Sequence, residues 1–138
     1  MAVRAIAKGV RQSPRKVAVV AALVRGRSVD EALTILQHTP RRSSMAIKKT
    51  IMSARANADY NHGYKPASLR IVEISVTPGP RMKRFRPGYR GSALPYQKKS
   101  SHIKVVVDGE LRPVAKPKTT VKPKTKSVAK PAASKETE

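Results

Sequence analysis

The strongest constraint on the fold is a long basic connection between two stretches whose composition predicts β-strands. Residues 69–76 (LRIVEISV) are rich in β-branched side chains, and residues 102–107 (HIKVVV) place Ile103, Val105 and Val107 on one face of a strand. Residues 77–101 join them, although structureless connections above about 12 to 15 residues are uncommon in compact domains. We expect the two arms of this connection to continue the flanking strands as an extended β-hairpin of roughly 40 Å, at about 3.3 Å per residue. Small residues suited to the reversal stand near its middle: Gly88, Gly91 and Ser92.

The charge of this connection predicts a polyanionic partner. No acidic residue occurs between Ile74 and Val107, and eight basic residues do: Arg81, Lys83, Arg84, Arg86, Arg90, Lys98, Lys99 and Lys104. Charges of one sign repel each other unless phosphates neutralise them. Three aromatic residues lie among them, Phe85, Tyr89 and Tyr96, and flat rings beside cations suit stacking on unpaired bases. A solvated flexible loop and a DNA-binding arm remain the alternatives, because counterion release serves RNA and DNA equally.

The whole chain supports the same partner class. Its 138 residues include 30 basic and 8 acidic side chains, a net charge of +22, which favours nucleic acid first and an anionic membrane second. There is no Cys, no apolar run near the roughly 18 residues of a membrane span, and no secretory signal at the start. We expect a cytoplasmic protein that does not associate with membranes and forms no homo-oligomer.

Enzymatic chemistry is not expected. The chain lacks the G-x-S-x-G nucleophile turn and both glycine-rich phosphate loops, so no catalytic residue and no cofactor site is assigned. His38, His62 and His102 are far apart in sequence and are not accompanied by Cys, which argues against a metal site.

Composition divides the chain at Arg112. Residues 113–138 are rich in Lys and Pro and have no aromatic residue and no apolar face, so they predict a disordered basic tail. Residues 1–112 hold 23 basic and 6 acidic side chains, a net of +17, and form the expected folded domain.

Three helices are predicted in the first half of that domain. Ser13-Pro14 is an N-cap with Pro at the first helical position, and Gly26 ends the segment. Ser28 to Glu31 fits a capping box that opens a second helix. Thr39-Pro40 predicts the start of a third helix of about six turns, which ends near His62-Gly63. Met45 and Met52 are interpreted as packing residues of that helix.

Together these elements predict a small α+β domain. Residues 3–8 are a third strand candidate, and an antiparallel three-stranded sheet packed on three helices accounts for all the hydrophobic patterns. The phase slip at Ile71-Val72 predicts either a bulge or burial of the strand on both faces. The core is expected to be aliphatic, because Phe85 lies outside it.

The second and third helices are also compatible with a helix-turn-helix, in which four cations would face DNA: Arg41, Arg42, Lys48 and Lys49. A nucleoid or repressor protein is therefore the alternative function. Against it, the link at residues 37–39 lacks the customary Gly, and the most basic segment lies outside the recognition helix.

A set of short motifs resembles one known family over about residues 4–108. They are Ser13-Pro14-Arg15-Lys16-Val17, Val24-Arg25-Gly26-Arg27-Ser28-Val29 with Glu31-Ala32-Leu33, Thr39-Pro40-Arg41, Ser53-Ala54 with Ala56-Asn57-Ala58, Gly79-Pro80, Met82-Lys83-Arg84, Arg86-Pro87 and Ser101-His102-Ile103. In this order they resemble the bacterial large-subunit ribosomal protein twenty-two family.

The resemblance implies a structural protein of the large ribosomal subunit. In that family the globular domain sits near the exit of the polypeptide tunnel, and the hairpin threads between domains of the large-subunit ribosomal RNA and lines the tunnel. The implied partners are this RNA, neighbouring ribosomal proteins and the nascent polypeptide, and the implied role includes subunit assembly.

The resemblance also implies site residues. The tunnel-facing part of the hairpin would comprise Met82, Lys83, Arg84, Arg86, Arg90, Gly91 and Ala93. RNA binding is assigned in the hairpin to Arg81, Lys83, Arg84, Phe85, Arg86, Tyr89, Arg90, Tyr96, Lys98 and Lys99, and in the body to Arg4, Lys8, Arg11, Arg15, Lys16, Arg25 and His102. The returning arm is less basic than the family pattern, and Pro95, which lacks an amide hydrogen, predicts an interruption of the pairing there.

Overall fold

The computed structural model describes residues 2–112 and shows the expected α+β architecture. The elements, in chain order, are β1 (Val3–Val10), α1 (Pro14–Val24), α2 (Val29–His38), α3 (Arg42–His62), β2 (Arg70–Pro87) and β3 (Ala93–Asp108), with 3₁₀ turns at Pro66–Ser68 and Tyr89–Gly91. The strands form one antiparallel sheet in the order β1-β3-β2. The tail predicted at residues 113–138 lies outside the described residues.

The first two helices form where the capping residues predict. Helix α1 buries Val17, Val20, Ala21 and Val24 on one face. The Ser28 hydroxyl accepts a hydrogen bond from the amide of Glu31 at the start of α2, as a capping box requires. Ser13 occupies the N-cap position of α1, but its side chain makes no capping hydrogen bond.

The prediction that Thr39-Pro40 opens the third helix is wrong by two residues. Thr39 is instead the C-cap of α2, and its hydroxyl donates to the carbonyl of Ile35 at 2.7 Å. Helix α3 begins at Arg42 and ends at His62. Its C-cap is Gly63, whose φ of 63° places it in the left-handed region that glycine tolerates. The hydroxyl of Ser44, in the first turn of α3, lies 2.5 Å from the carbonyl oxygen of Arg41 and 3.1 Å from the carbonyl oxygen of Thr39 at the end of α2.

The sheet confirms the predicted bulge. Pairing of β2 with β3 shifts between Ile71 and Glu73, which leaves Val72 exposed while Ile71 and Ile74 are both buried. The helices cover the face of β3 that carries Ile103, Val105 and Val107, all fully buried.

The core is aliphatic except for Tyr64, which is 2% exposed and follows the end of α3. Met45 and Met52 are 61% and 52% exposed, so their interpretation as packing residues is wrong. They lie on the outer side of α3, away from Ile47 and Ile51, which are fully buried.

The hairpin arms continue β2 and β3, as predicted, and pair to Pro87 and Ala93. The expected break at Pro95 is wrong, because Phe85 pairs with Pro95 in an unbroken register. Gly88 donates to the carbonyl of Ser92 at 2.6 Å. Counted from that bond, the alternation of an antiparallel ladder puts Pro95 at a position whose nitrogen faces away from the partner strand. The register shift lies instead at the hairpin root, between Pro78 and Arg81.

Candidate nucleic-acid interface

The hairpin projects beyond the hydrophobic core and is exposed along both arms. From Arg81 to Pro87 and from Gly91 to Lys99 every residue is exposed. Its large apolar side chains are exposed as well, with Phe85 at 69% and Met82 at 53%. Exposed apolar side chains are unfavourable in water, and together with cations they form the kind of surface that binds nucleic acid.

Both faces of the hairpin are basic. Side chains alternate between faces along a strand, and paired residues share a face. One side, named here the Arg84 face, carries Met82, Arg84, Arg86, Leu94, Tyr96 and Lys98. The other, the Lys83 face, carries Arg81, Lys83, Phe85, Ala93, Pro95, Gln97 and Lys99. Each face holds three cations and no acid, so the hairpin can contact phosphates on two sides at once.

Aromatic rings lie against cations in the outer half of the hairpin. The guanidinium of Arg86 is 4.9 Å from the ring centre of Tyr96, and that of Arg90 is 5.0 Å from the ring centre of Tyr89. These are cation–π distances. The pairs hold flat, charged surfaces at the end of the hairpin, where unpaired bases can stack.

The tip is a compact turn. The hydroxyl of Ser92 donates to the carbonyl of Tyr89 at 2.8 Å. Arg90 has a φ of 53° and Gly91 a φ of 76°, so both lie in the left-handed region. The turn therefore places the side chains of Tyr89 and Arg90 at the apex of the hairpin, where both are exposed.

The predicted tunnel-facing residues do not share one face. Met82 and Arg84 lie on the Arg84 face with Arg86, whereas Lys83 and Ala93 lie on the Lys83 face. Arg90 and Gly91 form the apex. The structure thus spreads these residues along the hairpin, from Met82 near the root to Arg90 and Gly91 at the apex, and over both of its faces.

The hairpin root is a structural junction as well as a predicted RNA-binding point. The amide of Gly9 donates to Nδ1 of His102 at 2.9 Å. A Cβ atom at Gly79 would lie 3.3 Å from Nε2 of His102 and 2.7 Å from the Ser100 hydroxyl. A side chain at position 79 would therefore displace the Ser100 hydroxyl and press on the His102 ring.

The other body residues predicted to bind RNA are distributed over several elements. Arg4 and Lys8 are exposed on β1, and Arg15 is exposed on α1. Arg25 donates to the carbonyl of Ile74 at 3.1 Å, which gives it a role in joining the end of α1 to β2. Arg11 and Lys16 line one cleft together with Lys99 of the hairpin.

Acidic side chains are concentrated at the opposite end of the domain. Four of the six in residues 2–112 form ion pairs there, all exposed or partly exposed: Asp30 with Arg55, Asp59 with Arg112, Glu73 with Lys104 and Glu110 with Lys65. Exposed pairs of this kind stabilise the fold by at most about 1 kcal/mol each. Their main effect is on charge distribution, because they place acidic groups at the end of the domain that lies away from the hairpin.

Within residues 2–112, no helix is long and apolar enough to cross a lipid bilayer, and no group of three or more His, Cys, Asp or Glu side chains could hold a metal ion. Burial raises the pKa of the Tyr64 phenol above its ordinary value of 10.0, and the charge of Asp108 and a hydrogen bond to it raise the pKa further.

Comparison with known protein families agrees with this geometry. The family model described as ribosomal protein L22p/L17e matches residues 5–108, which include the three helices, nearly all of the sheet and the whole hairpin. The match favours ribosomal RNA over DNA as the partner of the basic surface. The chain belongs to the ribosomal protein L22p/L17e family, and it is a structural protein of the large ribosomal subunit that binds ribosomal RNA and serves translation.

Proposed function

We propose that the hairpin inserts between segments of large-subunit ribosomal RNA and lines the polypeptide exit tunnel with its tip. The observation that carries the proposal is the charge of the hairpin on two sides. A hairpin that lay flat on RNA would need cations on one face only, whereas this one carries three on each face and no acid.

The same arrangement supports a role in subunit assembly. An inserted hairpin contacts RNA segments on both sides, while the body is held at its root, so one chain bridges parts of the RNA that are distant in sequence. Neighbouring ribosomal proteins would then contact the less basic end of the body, where Asp59 and Glu110 lie. The nascent polypeptide would pass the exposed apex at Tyr89, Arg90 and Gly91.

Site-specific photo-cross-linking tests the tunnel assignment. A cross-linker placed at Arg90 in assembled ribosomes should react with a stalled nascent chain. The matched control is the same cross-linker at Tyr60, which is 88% exposed on α3 and distant from the tip. A nascent-chain product from both positions, or from neither in ribosomes that contain the protein, would contradict the proposal.

Depletion tests the assembly role. Loss of the protein should cause precursor particles of the large subunit to accumulate, and a full-length chain should reverse this. A variant that lacks residues 81–99, with residue 80 joined directly to residue 100, should fold but fail to restore assembly. Full rescue by that variant would assign assembly to the body alone.

A further inference from the structure

A cleft at the hairpin root concentrates positive charge from three separate elements. It has a volume of about 630 Å³ and is lined by five cations, Arg11, Lys16, Arg41, Arg42 and Lys99. We name it the basic cleft. Arg11 precedes α1, Lys16 lies in its first turn, Arg41 is the N-cap of α3, Arg42 begins α3, and Lys99 belongs to the returning arm of the hairpin.

Nothing in residues 2–112 neutralises these cations. None of the five side chains forms an ion pair or a side-chain hydrogen bond within that part of the chain, and all five are exposed. Five like charges around one cleft repel each other, so the arrangement is favourable only when an anion occupies it.

The orientation of the helices adds to the positive potential. Helices α1 and α3 both begin at the basic cleft, and neither has an acidic residue in its first turn. Their opposite ends lie near the acidic end of the domain, where Gly26 donates to Ile71 and Arg112 donates to Gly63. The positive ends of two helix dipoles therefore point the same way as the five side chains.

The cleft is continuous with the Lys83 face of the hairpin. Residues 97 and 99 follow the alternation of Ser101, Ile103 and Val105, which face the helices. The Lys83 face is thus the continuation, in the hairpin, of the sheet face that the helices cover in the body. The helices stop covering this face at the starts of α1 and α3. A polyanion bound along Lys83 and Arg81 meets Lys99 and then enters the basic cleft without crossing an acidic residue.

We propose that the basic cleft binds the phosphodiester backbone of ribosomal RNA at the root of the hairpin. The inference deepens the RNA-binding function and rests on it, but it does not require that the tip reaches the tunnel. Cationic and polar side chains line the cleft in place of the apolar walls that small-molecule pockets have. A phosphodiester strand supplies regularly spaced charges that match cations on the body and on the arm.

The binding has a mechanical consequence. Because Arg11, Lys16 and Arg42 belong to the body and Lys99 belongs to the hairpin, one RNA strand in the cleft contacts both. It would fix the direction in which the hairpin leaves the domain. Arg41 and Arg42, which the helix-turn-helix alternative placed on DNA, then act beside the hairpin rather than in a major groove.

The test uses the full-length chain and deproteinised large-subunit ribosomal RNA. The cleft variant Arg11→Gln/Lys16→Gln/Arg42→Gln removes three cations of the body and leaves the hairpin intact. The control Arg27→Gln/Lys65→Gln/Arg70→Gln removes three exposed cations at the acidic end of the body, of which Lys65 pairs with Glu110, and changes the net charge equally. Binding is measured against salt concentration, and thermal unfolding confirms that both variants fold.

The slope of log affinity against log salt should fall by about two to three for the cleft variant, at about 0.7 to 0.9 per lost phosphate contact, and much less for the control. The Lys-for-Arg variant Arg11→Lys/Arg42→Lys should retain most of the slope. Equal effects of the cleft variant and the control would overturn the proposal. If the cleft variant loses the salt slope as expected but Arg90 gives no nascent-chain cross-link, the cleft is supported as an RNA-binding site and the tunnel assignment is refuted.

Discussion

The amide of Gly9 donates a hydrogen bond to Nδ1 of His102 at 2.9 Å, across 93 positions of sequence. Gly9 has a φ of 69° and lies in the irregular stretch of β1 between Ala7 and Val10. The bond therefore compensates for a ladder hydrogen bond where β1 leaves its register with β3. It requires Nδ1 to be unprotonated, and it ties β1 to the root of the hairpin.

Replacing His102 with Ala should lower the free energy of unfolding by about 0.5 to 1.5 kcal/mol, because the Gly9 amide loses its partner. Urea denaturation of the free protein measures the change. His38→Ala is the control, since His38 is exposed at the end of α2 and should shift stability by less than about 0.5 kcal/mol. Equal losses in both variants would show that the hydrogen bond contributes nothing.

The neighbouring Ser101 should behave in the opposite way. Its side chain is fully buried, and its hydroxyl has no hydrogen-bond partner among the described residues. Ser101→Ala removes that unsatisfied group, so the free energy of unfolding should stay the same or rise by up to about 1 kcal/mol. Ser100→Ala, which removes a 2.6 Å bond to the Pro80 carbonyl, should lower it by about 0.5 to 1.5 kcal/mol. A clear loss of stability in Ser101→Ala would mean that its hydroxyl is satisfied.

Local patterns were sufficient to predict the elements and their class. The placement of Ile103, Val105 and Val107 on one face predicts β3, and the two consecutive hydrophobic residues at Ile71-Val72 predict the bulge, because both depend on which side chains face the helices. The predicted start of α3 is wrong because the sequence does not show whether Thr39 caps the end of α2 or the start of α3. Its hydroxyl bonds backward to Ile35 instead.

Relationships between distant segments could not be predicted. Tyr64 lies in a loop after α3, and its burial depends on packing near Asp108, 44 residues later. The basic cleft combines residues near positions 11, 42 and 99, and no local spacing brings these together. The predicted interruption at Pro95 is wrong because the sequence does not show whether the Pro95 nitrogen faces the partner strand or the opposite side of β3.

Changes in the core should lower the free energy of unfolding strongly, whereas changes in the hairpin should have little effect on it. Ile51 is fully buried, and Ile51→Ala should cost about 2 to 5 kcal/mol. Deleting Met82-Lys83-Arg84, all exposed, should change the free energy of unfolding by no more than about 0.5 kcal/mol. Denaturant titration compares the two. If the deletion melts the domain, the hairpin is part of the folding unit.

The stability of the domain should fall at high pH because of Tyr64. The raised pKa means that the folded state keeps the phenol proton to a higher pH than the unfolded state does. The contribution of this group is complete below its ordinary pKa of 10.0 and is lost as the pH rises through the raised value. Denaturation from pH 8 to 11 measures it. Tyr64→Phe should flatten the decline, whereas Tyr60→Phe, at an exposed position, should leave it unchanged.

The two faces of the hairpin should contribute equally to RNA binding if the hairpin is inserted. The variant Arg84→Gln/Arg86→Gln/Lys98→Gln neutralises the Arg84 face, and Arg81→Gln/Lys83→Gln/Lys99→Gln neutralises the Lys83 face. Each should reduce the salt slope for large-subunit ribosomal RNA by about two to three, because each cation that meets a phosphate contributes about 0.7 to 0.9. Lys replacements at the Arg positions preserve charge and serve as the control for lost side-chain packing, including that of Arg86 on Tyr96. A hairpin that lies flat on RNA predicts a different result, in which one variant loses the slope and the other binds as the wild type does. That result would remove the argument for insertion, since the second set of cations would then have no phosphates to neutralise.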